Sequence, residues 1–436
     1  MKVLLGKHYD SYLEIKKWSK VVSVTSIVQI SIQAVGLISG IYVIRFLDTD
    51  QYAYYTIANT MLGTMNVLSD GGIASSVMAI GGKKWTDKVE LGKVIVDGLD
   101  LRKKFAIGAM VLTIPFMIYT LLDHNASIAT TILVVASIIP TFLLALSGTL
   151  LEVPLKLHQE IIPLQRIQLI SNIGRLVLLF VFVFVAPFAY IAIFVNAIPQ
   201  FWANINLRKK AKRYSDFNQK PDPQVRKEIF QLVKRTLPGN IYYAFSAQIS
   251  IWLISFFGST LAIAQVGALG RITMFLNIFT MIFTIIVVPR FARLPVDSKL
   301  VLSYFYKVVA LLFGIIILII LGVYLFENQI LWVLGTKYIN LNVELMLATI
   351  ANCISLLIGI ILAISLARSW IINPYINIGL NLVIQIVLFL LLDLSNLKNV
   401  LLFSLYNNLI VLVFVFIYFV VQAKKANTNP TILNPT

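Results

Sequence analysis

The sequence predicts an all-α membrane protein of about twelve transmembrane helices, in two six-helix halves around a central cavity, with both termini cytoplasmic. Three observations carry this. Hydrophobic residues make up 59% of the 436 and charged residues only 13%, where a soluble globular chain carries roughly a quarter charged. No water-facing surface can be built from that mixture, so lipid must cover most of the exterior. Apolar runs recur at roughly 17–25 residues, the length that crosses a bilayer as a helix. Lys and Arg also gather in alternate loops, as expected if those loops stay in the cytoplasm.

The runs follow in order. The first span covers 21–45 and the second 53–81, followed by the charged stretch KKWTDKVELGKVIVDGLDLRKK. The third is 105–122, the fourth 128–151, the fifth 166–186 and the sixth 188–207. A basic stretch, RKKAKRYSDFNQKPDPQVRKEIFQLVKRT, then divides the chain. Six more spans lie near 238–258, 261–289, 305–326, 342–367, 374–393 and 399–421. The implied organisation is a first bundle over 1–207, a cytoplasmic linker over 208–236, a second bundle over 237–423 and a cytoplasmic tail over 424–436. The second, fourth and eighth runs are long enough to need tilt or a kink. Pro115, Pro140, Pro154 and Pro289 mark expected kinks or helix ends.

Charge placement checks the span count. With the N-terminus inside, the cytoplasm holds Lys2, Lys7, Lys16, Lys17, Lys20, the 83–104 stretch, the linker, Arg290, Arg293, Lys299, Lys307, Arg368, Lys424 and Lys425. The opposite loops hold Lys337 and Lys398, with Arg45 near a boundary. One missed or invented span would invert this bias partway along the chain.

Composition also excludes functions. The net charge of +17 sits in short loops and at the two ends, so it reads as topology and no nucleic-acid partner is expected. Cys353 is the single cysteine, which rules out an intrachain disulfide framework. The N-terminal segment is basic and polar, so no cleaved signal peptide is expected and the first span would direct insertion. No G-x-x-x-x-G-K-[ST] loop, H-E-x-x-H motif or Cys/His cluster occurs. The loops are too short for a catalytic domain, and the chain is expected not to be an enzyme.

Polar groups at membrane depth must face protein or trapped water. Asn59, Gly63, Asn66 and Asp70 form one helical stripe on the second span, and Thr25, Gln29 and Gln33 mark the first. Gln168, Asn172 and Arg175 share a face of the fifth, and Asn196, Gln200 and Asn204 one of the sixth. Thr273, Asn277, Thr280 and Thr284 follow Arg271 on the eighth, and Asn373, Asn377, Asn381 and Gln385 mark the eleventh. Such amides can bond helix to helix, but stripes on so many spans suggest a hydrated cavity. The ionised candidates are Asp70, Arg175 and Arg271, with Arg45 nearer a boundary. Each charge costs about 2.5–3.5 kcal/mol at a helix centre on insertion scales. Guanidinium stays charged and grips phosphate through two parallel hydrogen bonds, so the positive balance suits an anionic substrate. Alternatively the charges pair internally, Asp70 with Arg45 or with an arginine of another helix. Asp70 is also compatible with Na⁺ or H⁺ coupling; no cofactor is otherwise expected.

Several segments carry a resemblance. FLDTDQYAYYTIANTM followed by LSDGGIASSVMAIGGKKW, and FFGSTLAIAQVGALGRITMFL followed by VVPRFARL, are similar to polysaccharide or O-antigen flippases of the multidrug/oligosaccharidyl-lipid/polysaccharide exporter superfamily. IIPLQRIQLISNIGRLVLL is similar in style, and the resemblance spans nearly the whole chain. It implies movement of an undecaprenyl-pyrophosphate-linked oligosaccharide across the bacterial cytoplasmic membrane by alternating access. A polysaccharide polymerase and a chain-length regulator are the implied partners. Arg175 and Arg271 would attract pyrophosphate, and Asn66, Asn172 and Asn277 would contact sugar hydroxyls. The main rival is a cation-coupled multidrug exporter of the same superfamily, whose cationic substrates would favour carboxylates. A major facilitator is disfavoured because IGGKKWTDKVELGK does not fit that family's loop between spans two and three. A scaffolding membrane subunit would use the stripes as packed interfaces.

Overall fold

The computed structural model describes residues 26–425 apart from 247, 272–275, 281–282, 284–286, 289–290, 292–293, 295–297, 369 and 371. Thr25, Thr273, Thr284, Pro289, Arg290, Arg293 and the N-terminal lysines lie outside the described residues. Among the described residues the chain is helical, with no strand. It divides into two compact units, Met1–Gln248 and Ile249–Thr436.

The first unit contains α1 (Ser26–Phe46), α2 (Thr49–Asp70), α3 (Ile73–Gly81), α4 (Lys88–Asp123) and α5 (Ile128–Leu157). It continues with α6 (Ile161–Val185), α7 (Ala189–Phe194), α8 (Ala197–Ala211) and α9 (Pro223–Ser246). The second contains α10 (Ile249–Phe257), α11 (Thr260–Leu269), α12 (Ser298–Leu325), α13 (Glu327–Leu334), α14 (Asn342–Ala367), α15 (Pro374–Leu391) and α16 (Leu397–Lys425). Eight of these helices are long and apolar enough to cross a membrane: α1, α4, α5, α6, α12, α14, α15 and α16. Large apolar side chains stay uncovered on them, such as Val185 at 77% and Leu390 at 76% exposure, as a lipid-facing surface requires. The chain is a multi-pass membrane protein.

Several helix starts are written locally. The Asp87 carboxylate accepts from the amides of Val89 (2.8 Å) and Glu90 (3.1 Å) and so opens α4. Ser127 caps α5 through the Thr130 amide, and Ser259 caps α11 through Ala262. Asn373 precedes Pro374, which opens α15 as its first residue.

Four expected spans are not single straight helices. The second is broken at Gly71–Gly72, both at positive φ (52° and 98°), into α2 and α3. The sixth is divided between α7 and α8, and the seventh between the end of α9 and α10. The eighth begins as α11 and runs into residues that are only partly described. By contrast, Pro115 lies inside α4 and Pro140 and Pro154 inside α5 without ending either helix.

The charged stretches read as loops are partly helical. α4 holds 36 residues, or roughly 54 Å at 1.5 Å per residue, so its first turns extend beyond a hydrocarbon core of about 30 Å. The expected 208–236 linker ends α8 and begins α9, leaving only 212–222 between helices. Val225, Ile229 and Val233 recur every fourth residue and are buried against Ile73, Val77 and Ile80 of α3 and Leu91, Val94 and Ile95 of α4. Each such side chain gains about 1.5–3 kcal/mol on burial, enough to fold a segment whose hydropathy alone reads as solvent-exposed. α9 therefore packs with the first unit, which extends past the expected boundary at 237.

In the second unit α14 and α16 lie side by side, and α12 packs on both. Phe305 stacks on Phe419 at 4.0 Å, with Phe416 and Trp370 adjoining.

Candidate functional site

Two polar systems run through the first unit. One crosses its interior. Gln29 of α1 donates to Gln165 (3.2 Å) and Gln168 (3.4 Å) of α6. Gln168 in turn donates to Glu152 of α5 at 2.7 Å, and Lys156 pairs with the other Glu152 oxygen at 2.7 Å. The Glu152 side chain is only 13% exposed, so the lysine and the amide together keep its charge compensated. One and two turns further along α6 stand Asn172 and Arg175, both half-buried. Gly36 of α1 faces the arginine: a Cβ there would lie 3.9 Å from Nη2 of Arg175.

The second system sits at the end of α2. Asp70 is the last residue of α2, and its carboxylate accepts from the Gly72 and Ala74 amides at 3.3 Å each. It also pairs with Arg102 of α4 at 3.4 Å. Arg102 is buried and bonds Thr149 of α5 as well. Asp70 thus caps α3 and pins three helices. Arg45 stands before the opposite end of α2, a helix of 22 residues and roughly 33 Å. The expected Asp70–Arg45 alternative is therefore out of reach, and the partner comes from a stretch that reads as a cytoplasmic loop.

Beside this, α9 is clasped to the same end. Asp97, fully buried on α4, accepts from the Asp222 amide at 2.8 Å and faces Arg226 at 3.5 Å. Arg226 also pairs with Asp100. Thr236 donates to the Gly71 carbonyl, and a Cβ on Gly72 would meet its hydroxyl at 2.2 Å. The 212–222 segment crosses the start of α4 closely enough that Asp216 donates its amide to the Lys88 carbonyl at 3.0 Å. Tyr214 donates to Glu160 (2.7 Å), which raises its phenol above the ordinary range. The Asp216 carboxyl is held low by the Asn218 amide and the Gln219 side chain.

The remaining expected site residues are Arg45 and Asn66 in the first unit and Arg271 and Asn277 in the second. Arg45 and Asn277 are exposed, and Arg271, in the second unit, is half-buried after Gly270. Asn66 is half-buried on α2, and its carbonyl accepts from Ser69. The stripe amides divide into two kinds. Asn59, Asn172 and Asn381 donate to carbonyls of their own helix, and Asn196, between α7 and α8, donates to carbonyls of α7. Asn204 instead donates across to Leu144 of α5 at 2.6 Å, and Asn408, which belongs to none of the stripes, donates to Ala351 and Ser355 of α14. Those two are helix-to-helix bonds. Helical periodicity alone does not mark Arg102, Gln165 or Glu152 as site residues. The Glu152–Lys156 spacing within an apolar run was the one local signal for the last. Among the described residues, no three His, Cys, Asp or Glu side chains come together to hold a metal ion.

The overall fold is similar to that of solved structures. An inward-facing multidrug resistance MATE family transporter of the MOP superfamily superposes with a TM-score of 0.70 at 14% identity, over 93% of this chain and 99% of that one. An outward-facing structure of such a transporter gives 0.65 at 13%, over 94% and 96%. A MOP superfamily transporter from Pyrococcus furiosus, described as having a binding pocket of reverse polarity, gives 0.60 at 13%, over 93% and 95%. Neither a family model nor a curated protein sequence matches this chain. The fold is that of the MATE transporters: an all-helical membrane architecture of two six-helix halves.

Proposed function

We infer that the chain is a transporter that moves an amphipathic anion across the membrane by alternating access, and that this anion is an oligosaccharide carried on undecaprenyl pyrophosphate. The observation that carries this is the use of Asp70. Its carboxylate is committed to Arg102 and to the cap of α3, whereas a drug or cation exporter would keep an acidic stripe residue for its cargo. Glu152 is likewise compensated by Lys156. Arg175 and Arg271 stand within spans, and a guanidinium there suits a pyrophosphate. Asn66, Asn172 and Asn277 would meet sugar hydroxyls. The resemblance of the sequence to polysaccharide flippases supports the same cargo.

The test is deletion of the gene in its native host, complemented by wild-type or by Arg175→Glu and Arg271→Glu. Loss of surface polymer, with lipid-linked repeat units accumulating on the inner leaflet, is expected on deletion and with each charge reversal. Normal surface glycan with either variant at wild-type protein levels would overturn the assignment of that arginine. The solved neighbours favour a second reading, a cation-coupled multidrug exporter. Unchanged glycan together with new sensitivity to cationic dyes on deletion would establish that one.

A further inference from the structure

The outer face of α6 and α8 carries a second cationic feature that lies away from the polar interior. The two helices share a buried seam of Leu164 and Ile167 with Ala203, Leu207 and Ala211. In sequence Arg166 lies between the two seam residues of α6, and Arg208 and Lys209 follow Leu207 on α8. Arg166, Arg208, Lys209 and Lys212 are exposed. Trp202 and Ile205, also exposed, precede them along α8. Ile205, Arg208, Lys209 and Lys212 recur at the three- and four-residue spacing that keeps one helix face. That face passes from indole and aliphatic groups to three cations within about 15 Å.

Part of this charge has a local explanation, since cations at a helix C-terminus favourably meet its dipole. Arg166 does not: it stands near the start of α6, where the dipole is unfavourable to a cation. Among the described residues, no carboxylate forms an ion pair with any of the four cations. Glu160 is bonded to Tyr214, Asp216 to the Asn218 amide and Gln219, and Glu152 to Lys156 and Gln168. The Arg208 guanidinium is held 5.7 Å over the Phe217 ring, which fixes its direction without spending its charge.

We propose that this face binds an anionic phospholipid of the cytoplasmic leaflet, its phosphate between Arg166 and the Arg208–Lys209–Lys212 cluster and an acyl chain along Trp202 and Ile205. Charge complementarity and the apolar-to-basic order along α8 match a lipid standing at the interface, with the tryptophan at headgroup depth. The site is independent of the cargo and would hold for a glycolipid or a drug transporter alike.

The test uses the full-length protein in nanodiscs of phosphatidylcholine with and without phosphatidylglycerol, read by lipids retained in native mass spectrometry and by Tm. Wild-type is expected to retain phosphatidylglycerol selectively and to melt higher in its presence. Removing a cation near a membrane surface weakens anionic-lipid binding about five-fold, so K209Q/K212Q, both exposed, should weaken retention about thirty-fold. R166Q/R208Q/K209Q/K212Q should fall to the phosphatidylcholine level. The control K227Q/K234Q/R235Q removes three exposed cations from α9 and should retain phosphatidylglycerol as wild-type does. Unchanged retention by K209Q/K212Q, or an equal loss in the control, would overturn the proposal.

Discussion

Each unit buries an arginine, Arg102 within α4 beside the end of α2 and Arg368 at the end of α14, and among the described residues the two are held by different chemistry. In the first, Arg102 meets the Asp70 carboxylate and Thr149. In the second, Arg368 donates from Nη1 to the carbonyls of Phe291 (3.0 Å) and Leu294 (2.9 Å), and its guanidinium lies 5.2 Å over Trp370. The difference follows from composition: residues 249–436 contain only Asp297, Glu327, Glu344 and Asp393 as acids. Among the described residues, the Arg368 guanidinium is met by backbone oxygens and an aromatic face and by no carboxylate. A carboxylate pair can be neutralised from both sides, whereas carbonyls cannot be mutated away. A buried guanidinium can be held by a carboxylate or by carbonyls, and its replaceability depends on which.

The largest effect should test this asymmetry directly. Asp70→Asn leaves the Arg102 guanidinium buried beside a neutral group and weakens the cap of α3. The expected loss is about 3 kcal/mol, read as a lower Tm in detergent. D70N/R102Q should recover at least half of it; no recovery would show that the cap, and not the pair, carries the stability. Arg368→Met should cost about 2–3 kcal/mol because two carbonyls lose charged donors. Neutralising any of the four acids of the second unit should restore none of that loss. Rescue by one of them would break the contrast between the units.

Smaller effects sharpen it. Gly72→Ala places a Cβ against Thr236 at a positive-φ position and should cost about 2 kcal/mol. T236A in the same chain should recover part of this loss, since only the steric share can be relieved. Least affected should be Asn408→Ala, which removes amide bonds to Ala351 and Ser355. An interhelical amide in a membrane contributes about 0.6–1.7 kcal/mol, so its Tm shift should be smaller than that of D70N. An equal shift would mean that neutral amides hold the second unit as firmly as ion pairs hold the first.

Much of the fold was legible in the sequence because bilayer crossing depends on local composition. The expected tenth span, 342–367, coincides with α14, and the fifth, ninth, eleventh and twelfth each contain one long helix near the expected bounds. Broken spans were less legible. Nothing in hydropathy distinguishes Gly71–Gly72, where the helix ends, from Pro115, where it continues. The outcome depends on what packs outside the helix: Thr236 seated on the glycines, and the Asp70 carboxylate reaching over the gap.

The candidate site divides the same way. Helical periodicity placed Gln168, Asn172 and Arg175 on one face of α6, and the structure keeps Asn172 and Arg175 half-buried beside the Gln29–Gln168–Glu152 chain. Periodicity could not say that Asp70 would be met by Arg102, thirty-two positions away in a stretch that reads as a loop.

The sequence by itself determined which segments are long and apolar enough to cross a bilayer and which helix faces carry polar groups. These follow from the water-to-lipid transfer of each residue and from a fixed turn of 3.6 residues. Only the tertiary structure decided which charges meet, where a span breaks, and to which unit α9 is packed. Those outcomes depend on contacts between residues distant in the chain, and a burial of three aliphatic side chains outweighs the polar composition around them.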